Sequence, residues 1–582
     1  MFLIKSSNKY KKQVIKIKPS ANIVGGKFLF VTFILIIFLL RLSLDAYSNE
    51  SVESLKTEKL VIDTNRVKTH INYLASDLFE GRAPGTLGSY LSAKYLAYYF
   101  DKYGLIPLGD DDTYYQNIAM HTSKIKDNTH LILKDKDGTT KEFKHNIDFV
   151  LFKFGKRIII PKFTPMVFAG YGITAPEYDY DDYHSINVEN KIVVILDGEP
   201  YSNINNYFEG MKSSQFSVIE SKYRNAISKG AIGVIIINDF CSYDAKNWLK
   251  NIKEYSFPSI NLAQRVTNNF ASIINYNSAI EIFKSEEIKF ETICENHIKG
   301  KIQSFELKSE ISFKGNFEEI DFVSPNIVGF IEGRDEELKN EYVVISAHYD
   351  HLGIVKHFNE NDSIYNGMTD NALGTAVLLE IANHLNTYKL NKRSLIFLLT
   401  TGEEFGLLGS TYYTQNPIKP LYNTIVNVNI DGVAFFDEFK EIVCIGEEHT
   451  NIDEILNPIA NKYNLTIGNI PNNFQQEEAY RLSDNYSFSK VGIPSFLLIE
   501  GTKYVNYTEK QSLKFLTNYS DNIYHSVNDD LSIPINLSAV NLHTNILIDF
   551  ILALTNTDKK IEFIIGSPFK NASIRMKKEN NR

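Results

Sequence analysis

The stretch EYVVISAHYD, residues 341–350, joins a run of apolar and β-branched residues to two polar side chains, His348 and Asp350. Three later stretches share this form, and an amphipathic helical pattern, TAVLLEIANHLNTY, lies among them at 375–388. Continuous apolar runs that alternate with helices are typical of a sheet covered on both faces. We therefore predict an α/β fold with a mixed, mostly parallel central sheet flanked by helices. The three stretches are RSLIFLLTTGEE (393–404), NTIVNVNID (423–431) and IPSFLLIEG (493–501).

Polar residues follow these predicted strands where each strand ends. Ligand-binding groups in open α/β sheets gather outside the carboxyl ends of the strands. His348 and Asp350 follow the first run, Glu403 and Glu404 the second, and Asp431 the third. We expect these side chains to lie at one edge of the sheet.

The segments outside these motifs differ from one another in their sequence patterns. Residues 66–104 contain two helical patterns separated by the turn EGRAPGTLG, and residues 156–300 contain short β-branched runs with a helix between them, which indicates a small α/β module. The stretch 310–326 reads as a connector, and the segment from 559 as a mobile tail.

Composition places the chain among folded globular proteins and argues against a nucleic-acid partner. Its 582 residues suggest about four average domains, or fewer if one is a large α/β unit. The net charge is −9, and no basic patch with interleaved aromatic residues occurs beyond the N-terminus. Cys241, Cys294 and Cys444 are far apart, so we expect buried packing residues rather than a thiolate metal site or a dense disulfide framework.

The N-terminus resembles an export signal. Its first 27 residues contain seven lysines and no acidic residue, and a 13-residue apolar run follows at 28–40. That length suits a signal peptide better than a membrane-spanning helix, which needs about 20 residues. We expect residues 1–48 to be a signal peptide or an uncleaved membrane anchor, and the remainder to be periplasmic, secreted or anchored outside the cytoplasm.

Each polar motif also has a structural explanation. His348 and Asp350 could lie in a surface turn, and Asp370, just before a helix, could cap it; for Asp370 alone the cap is favoured. Glu403 and Glu404 are different, because two adjacent acids at the end of a buried strand are costly unless they bind cations or reach water. Their side chains point different ways, which suits one ligand and one base.

Taken together, the residues indicate a metal site. Two histidines, two aspartates and a glutamate suit Zn²⁺ and, less well, Mn²⁺ or Co²⁺. With one aspartate shared, each of two ions would have three protein ligands, an arrangement suited to amide hydrolysis. The five are His348, Asp370, Glu404, Asp431 and His525.

The motifs SAHYDHLG, TDNALGTAVLLE, TGEEFGLLGS, NID and YHSVND occur in that order within 320–535. This set resembles the co-catalytic di-zinc peptidase family of bacterial leucyl aminopeptidase and aminopeptidase Y, to whose wider group glutamate carboxypeptidases belong. The resemblance implies two zinc ions per chain, with Asp370 bridging them and His348 and His525 each binding one. It also implies that Glu404 and Asp431 complete the shells, that Glu403 is the general base, and that Asp350 orients His348. His351 would not be a ligand.

The flanks extend this resemblance. Residues 156–300 are similar to the protease-associated (PA) domain often inserted in such enzymes, which implies a catalytic domain built from 60–155 and 301–558, with a tail at 559–582. One departure is Asn485, where members of the family often have histidine; substrate contacts or loop geometry there are in question, including any role of Asp484.

The function implied is that of a zinc aminopeptidase acting on peptide or protein substrates. The alternatives are a carboxypeptidase, a glutaminyl-cyclase-like enzyme with one metal, and a non-catalytic receptor on the same scaffold. A complete five-ligand set disfavours the last two.

Overall fold

The structure is a computed structural model of the chain. It describes residues 62–126, 128–152, 158–200, 207–208, 214, 216–266, 269–355, 362–471 and 476–579. The predicted signal peptide or anchor at 1–48 lies outside the described residues.

Strands and helices alternate along most of the described chain. The strands are β1 (Ile106–Pro107), β2 (Tyr115–Ile125), β3 (His130–Lys134), β4 (Thr140–Phe143), β5 (Phe149–Leu151), β6 (Ile159–Phe168), β7 (Thr174–Ala175), β8 (Tyr180–Asp181), β9 (Ile192–Leu196), β10 (Gly233–Ile237), β11 (Ser259–Leu262), β12 (Phe270–Ile274), β13 (Phe305–Lys314), β14 (Phe317–Ile331), β15 (Tyr342–His348), β16 (Gly353–Ile354), β17 (Ile364–Tyr365), β18 (Ser394–Thr400), β19 (Thr424–Asn429), β20 (Glu441–Ile445), β21 (Thr466–Ile467) and β22 (Ser495–Glu500). The helices are α1 (Thr64–Leu74), α2 (Leu87–Lys102), α3 (Ile219–Ser228), α4 (Ala245–Glu254), α5 (Tyr276–Phe283), α6 (Phe290–Ile298), α7 (Leu373–Tyr388), α8 (Leu408–Gln415), α9 (Asp453–Lys462), α10 (Gln476–Arg481), α11 (Asn485–Lys490), α12 (Glu509–Asn522), α13 (Leu537–Asn556) and α14 (Lys570–Glu579).

The larger sheet has the order β11-β2-β14-β18-β15-β19-β22-β20-β21, with β1 paired to β14. Its centre is parallel, because β18, β15, β19 and β22 pair in one direction. Antiparallel strands continue it on both sides. The predicted α/β fold with a mixed sheet is confirmed, but the sheet is not mostly parallel, since four of its pairings are parallel and five are antiparallel.

Helices cover both faces of this sheet. Side chains of α1, α2, α7 and α13 pack with the sheet in one buried cluster, and α8 and α11 contribute Tyr413 and Phe488 to a second. The strands β15 and β18 are buried along their whole length, which explains why they read as unbroken apolar runs. Each fully buried aliphatic or phenyl side chain stabilises the fold by about 1.5–3 kcal/mol.

A second sheet, in the order β4-β3-β13-β6-β9-β10-β12-β5, forms the insert. It extends beyond the predicted 156–300 in both directions, because β3 to β5 precede that range and β13 follows it. The prediction of a connector at 310–326 is wrong, because β13 and β14 occupy most of this stretch. β13 alternates buried and exposed residues, and the first half of β14 is largely exposed. Charged residues therefore interrupt the apolar pattern by which the two strands could have been recognised in the sequence.

Two further expectations need correction. Cys241 and Cys294 form a disulfide between the residues after β10 and helix α6, whereas Cys444 is a buried free thiol as expected. The sequence could not show this pairing, since the two cysteines are 53 residues apart. The segment from 559, predicted as a mobile tail, includes helix α14, whose Ser573 is buried.

Helix α13 is the one helix within the described residues that is long and apolar enough to cross a membrane. Packing explains its composition, because eleven of its twenty residues are buried in the protein. His543, on its buried face, accepts a hydrogen bond from the Ala434 N–H and contacts the Leu498 carbonyl through its other ring nitrogen.

Candidate metal centre

Three neighbouring parallel strands deliver the polar residues to one edge of the sheet. His348 is the last residue of β15 and pairs with Thr400, the last residue of β18. On the other side, Ser346 pairs with Asn429, the last residue of β19. Glu403 and Glu404 leave β18, and Asp431 leaves β19, at the level where His348 leaves β15. The fold therefore explains why residues 83 positions apart can meet.

His348 lies at the centre of one group of donor atoms. Its Nε2 is 3.2 Å from Asp370 Oδ1 and 3.2 Å from Asp431 Oδ1. The ligand atoms of His348, Glu403 and Asp431 all lie within 4.8 Å of one another, as do those of His348, Asp370 and Glu404. His348 is 1% exposed, whereas the Asp431 side chain is 20% exposed, so the group is buried on the His348 side and reaches solvent at Asp431.

His525 completes a second group on the other side of Asp370. Its Nε2 lies 3.2 Å from Asp370 Oδ2 and 3.0 Å from Glu404 Oε2. The two carboxylate oxygens of Asp370 thus face different histidines, which is the position required of a bridging ligand. Helix α7 begins at Leu373 with Ala372 before it, so Asp370 is not its N-cap.

The spacing of the donors fits a small divalent ion. Ligand atoms about 2.0–2.1 Å from a tetrahedral Zn²⁺ are separated from one another by about 3.3 Å. The contacts of His348 and His525 with the carboxylates lie at 3.0–3.2 Å. Nitrogen and oxygen donors of this kind are those that zinc takes in catalytic sites. The residues present therefore fit zinc, and their contacts form one set of donors from His348, Asp370 and Asp431 and a second from His525, Asp370 and Glu404.

His351 lies within the centre, although no role was predicted for it from the sequence. It is fully buried, and its Nδ1 lies 2.5 Å from Glu404 Oε1. Its Nε2 has no hydrogen-bond partner among the described residues. The contact orients the Glu404 carboxylate toward His525. The position of His351, three residues after His348, was the only signal in the sequence.

Asp350 has a different environment from the one expected. His348 Nδ1 lies 3.2 Å from the main-chain carbonyl of Asp350, while the Asp350 carboxylate accepts the Glu403 N–H at 3.1 Å. Burial raises the pKa of Asp350 to about 7. These contacts place Asp350 between the His348 and Glu403 segments, and its role in orienting His348 stays a prediction.

Asp529 ties the loop of His525 to the turn of Asp370, and the sequence did not reveal this. Its carboxylate accepts the N–H groups of Thr369 at 2.9 Å and Asp370 at 3.1 Å, as well as the Thr369 hydroxyl at 2.8 Å. Its main-chain carbonyl accepts the Met368 N–H. Hydrogen bonds of this number to a buried carboxylate hold both proposed ligand segments in one geometry.

Arg82 fixes the same turn from the other side. This buried guanidinium donates to the carbonyls of Tyr349 at 2.8 Å, Asn366 at 2.5 Å and Gly367 at 2.8 Å. Burial lowers its pKa to about 10, so the cation persists at neutral pH. It lies in the N-terminal turn EGRAPGTLG, whose contribution to the site is therefore structural and electrostatic.

The two adjacent glutamates have opposite charge preferences. Burial raises the pKa of Glu403 well above its usual value, and the carboxylates of Asp431 and Glu404 add to that shift. Burial acts in the same direction on Glu404, but the imidazoles of His525 and His351 outweigh it and lower its pKa to about 2. Neighbouring carboxyl groups with different environments are suited to different roles.

Asp484 and Asn485 lie behind the centre. Asp484 is buried, and its Oδ2 accepts the Thr400 hydroxyl at 2.5 Å. Asn485 is also buried and donates to the Tyr480 carbonyl at 3.0 Å. Ser483, just before them, donates to Asp431 Oδ2 at 2.5 Å. This segment supports the Asp431 carboxylate, and Asn485 contributes through packing and its main-chain contact.

Comparison with known proteins agrees with this geometry. Residues 326–551 match peptidase family M28, and residues 162–268 match the PA domain. Aminopeptidase NAALADL1 of Rattus norvegicus is 35% identical over 118 residues, which are 19% of this chain and 14% of that protein. A vacuolar membrane protease of Vanderwaltozyma polyspora is 23% identical over 220 residues, 38% of this chain and 21% of that protein. The matches thus span only 14% and 21% of the length of these relatives.

Among solved structures, an aminopeptidase from Aneurinibacillus sp. strain AM-1 superimposes with a TM-score of 0.52 and 19% identity, over 86% of this chain and 95% of that chain. This likeness extends over the insert as well as the larger sheet, and it shows a shared fold. In sequence, residues 326–551 are thus similar to peptidase family M28, and residues 162–268 are similar to the PA domain.

Proposed function

We propose that this protein is a zinc-dependent aminopeptidase that removes N-terminal residues from peptides. The observation that carries the proposal is the convergence of His348, Asp370, Asp431, Glu404 and His525, with Asp370 between the two histidines. A non-catalytic scaffold has no need to keep these three carboxylates and that of Glu403 close together, because unpaired buried charges are costly.

Zinc ions bound there would polarise the scissile carbonyl and lower the pKa of water. Side chains of the protein would carry out the proton transfer and hold the reacting groups in position. The Glu403 carboxylate accepts a proton from the attacking water and transfers it to the nitrogen of the leaving amine. Asp350 holds the Glu403 main chain through the 3.1 Å hydrogen bond to its N–H. Asp529 and Arg82 keep the Asp370 turn in place.

Export from the cytoplasm is the second part of the proposal. It is supported by the lysine-rich, then apolar N-terminus and by the Cys241–Cys294 disulfide, since disulfides persist in oxidising compartments. Membrane fractionation, with mass spectrometry of the mature N-terminus, separates a cleaved signal peptide from a retained anchor.

The activity is tested with a panel of aminoacyl reporter amides and their N-acetylated counterparts, assayed with chelator and after zinc is added back. We expect hydrolysis of free-amine substrates that chelator abolishes and zinc restores, with two zinc ions per chain by elemental analysis. Preference for N-blocked peptides with a free carboxyl end would instead indicate a carboxypeptidase. One metal per chain with release of ammonia from N-terminal glutamine would indicate a cyclase. Zinc binding without any turnover would indicate a receptor.

A further inference from the structure

A histidine outside the metal centre has a buried ring nitrogen without a partner. His121 lies in β2 and is 4% exposed, and its Nδ1 is 2.7 Å from Oδ1 of Asp321, in β14. Its Nε2 has no hydrogen-bond partner among the described residues and is 3.9 Å from Oε1 of Glu319. That separation is too long for a hydrogen bond. The inner side of the imidazole therefore faces a carboxylate that it does not bind directly.

The strand register brings further polar side chains to the same place. Asp321 lies opposite His121, and Glu319 lies opposite Ser123, two residues further along β2. Side chains two residues apart on a strand project from the same face, so all four lie on one face of the β2 and β14 pair. Ser123 is fully buried, and its hydroxyl also has no partner among the described residues. An imidazole nitrogen, a carboxylate and a hydroxyl thus share one face, and two of them are buried and unsatisfied, which is costly without a ligand.

Asp321 determines which ring nitrogen is available. An imidazole that donates its Nδ1–H to a carboxylate has a lone pair on Nε2, and this is the form in which histidine binds a metal ion. A protonated ring would also need an acceptor for its Nε2–H, and Glu319 is out of hydrogen-bond range. The Glu319 side chain is 36% exposed and that of Asp321 is 83% exposed. The face is therefore open to solvent beside the carboxylates, and an ion could enter there and keep water ligands.

Three other histidines show what is particular to His121. His130 also contacts a carboxylate, that of Glu142, but its side chain is 44% exposed and can reach water. His145 and His384 each have a buried Nε2 without a partner, but no carboxylate oxygen of the described residues lies within 4.0 Å of either ring. His121 combines burial, an unpartnered nitrogen and a carboxylate in front of it.

We propose that His121 and Glu319 bind a divalent metal ion, with the Ser123 hydroxyl as a third donor and Asp321 as the residue that orients the imidazole. Nitrogen and oxygen donors of this kind suit Zn²⁺. Because the chain supplies only one imidazole and one carboxylate as strong ligands, this ion is held less tightly than zinc at the metal centre. It connects β2 to β14, the two strands through which the chain enters and leaves the insert. The site would therefore stiffen the stem of the insert, whether or not the protein is a peptidase.

The test is zinc binding by the purified holoenzyme, measured by equilibrium dialysis against increasing free Zn²⁺ and elemental analysis. We expect the wild type to bind one zinc ion per chain beyond those retained without added metal, and His121→Gln to lose this ion. Asp321→Asn should bind it about 10–100-fold more weakly, as loss of a group that orients a ligand does. His130→Gln, which alters the exposed histidine and carboxylate pair, is the matched control and should bind zinc as the wild type does.

Thermal denaturation gives a second readout. Zinc at the concentration that fills the additional site should raise the Tm of the wild type and of His130→Gln, and leave that of His121→Gln unchanged, because only a bound ion stabilises the folded state. Equal zinc binding by the wild type and His121→Gln would show that the site does not exist. Equal loss of this ion in His130→Gln would also overturn the proposal, since it indicates general binding to surface histidines. If His121→Gln does not fold, Asp321→Asn decides, because its substitution is exposed, and an unchanged zinc affinity in that variant would overturn the proposal.

Discussion

Among the described residues, two buried clusters that contain histidine and carboxylate groups can be compared, and one of them has the properties of a ligand site. In the first, between α1, α2 and α7, Glu380 accepts hydrogen bonds from Arg66 at 2.9 Å and Tyr103 at 2.8 Å. His70 contacts Tyr95 through one ring nitrogen and Tyr103 through the other. Every one of these side chains has found a partner, as buried polar groups in a structural network do.

The metal centre differs because its polar atoms converge without satisfying one another. Asp350 Oδ2 and His351 Nε2 have no hydrogen-bond partner among the described residues. Four carboxylates, those of Asp370, Glu403, Glu404 and Asp431, surround the two proposed ligand histidines. A buried group of like charges is stable only with cations between them. Incomplete satisfaction, rather than residue type, therefore distinguishes the functional cluster.

The distinction between the two clusters is tested most strongly by substituting one carboxylate in each of them. Asp370→Asn should reduce bound zinc and bring hydrolysis below detection, because one carboxylate serves both proposed ions. Glu380→Gln should keep zinc and activity, since its cluster is structural. Elemental analysis and the reporter assay measure both. If Glu380→Gln lost zinc as readily as Asp370→Asn, the distinction would fail.

Within the centre, Glu403→Gln separates proton transfer from metal binding. We expect kcat to fall about 10²–10⁴-fold, the range for a general base, while zinc content stays at the wild-type value. Glu403 is assigned no ligand role, so metal loss in this variant would show that the assignment of Glu403 and Glu404 is reversed. Unchanged turnover with metal bound would remove Glu403 from the mechanism.

A satisfied histidine should behave unlike those of the centre when the pH falls. Burial lowers the pKa of His543 to about 4, and its Nδ1 accepts the Ala434 N–H. Because the folded-state pKa lies below the unfolded value of about 6.5, His543 stabilises the fold above pH 6.5, and this stability is lost as the pH falls toward 4. The free energy of unfolding should drop by up to about 3 kcal/mol over that range.

Urea titrations of the metal-free protein at several pH values measure this change. His543→Gln removes the titrating group and should flatten the dependence over the same range, even if the variant is less stable at neutral pH. A slope that is the same in both proteins would assign the acid sensitivity to other groups.

The smallest expected effect concerns Asp529, which is fully satisfied yet touches the centre. Asp529→Asn should weaken zinc affinity about 10–100-fold, as loss of a group that orients ligands does. At saturating zinc, kcat should recover most of its wild-type value. Competition with a zinc-binding dye measures the affinity. If affinity were unchanged, the hydrogen bonds to Thr369 and Asp370 would not position the ligands.

The sequence was most informative where one physical constraint dominated. Strands β15, β18 and β19 are buried on both faces, so their apolar runs were visible and located the polar residues at their ends. β13 and β14 were missed because charged, exposed residues interrupt them. Asp370, as a single acid before a helix, would have been interpreted as a cap, and only the set of motifs changed that interpretation.

The supporting residues could not have been found in the same way. Arg82 acts on carbonyls more than 260 positions away in the chain, and Asp529 acts on Thr369 from a distance of 160. Neither contact leaves a periodic pattern.

The chain enters and leaves the insert at neighbouring positions of the larger sheet. β2 and β14 are antiparallel neighbours with Ile125 opposite Phe317, and the Lys126 N–H donates to the Asn316 carbonyl at 2.8 Å. A tight turn could join these strands directly. Deletion of the insert in this way would also remove β11. One side of β2 would then be an unpaired edge, open to strand addition by another chain. The insert thus supplies the strand that covers part of this edge, and a shortened form would need a substitute for it.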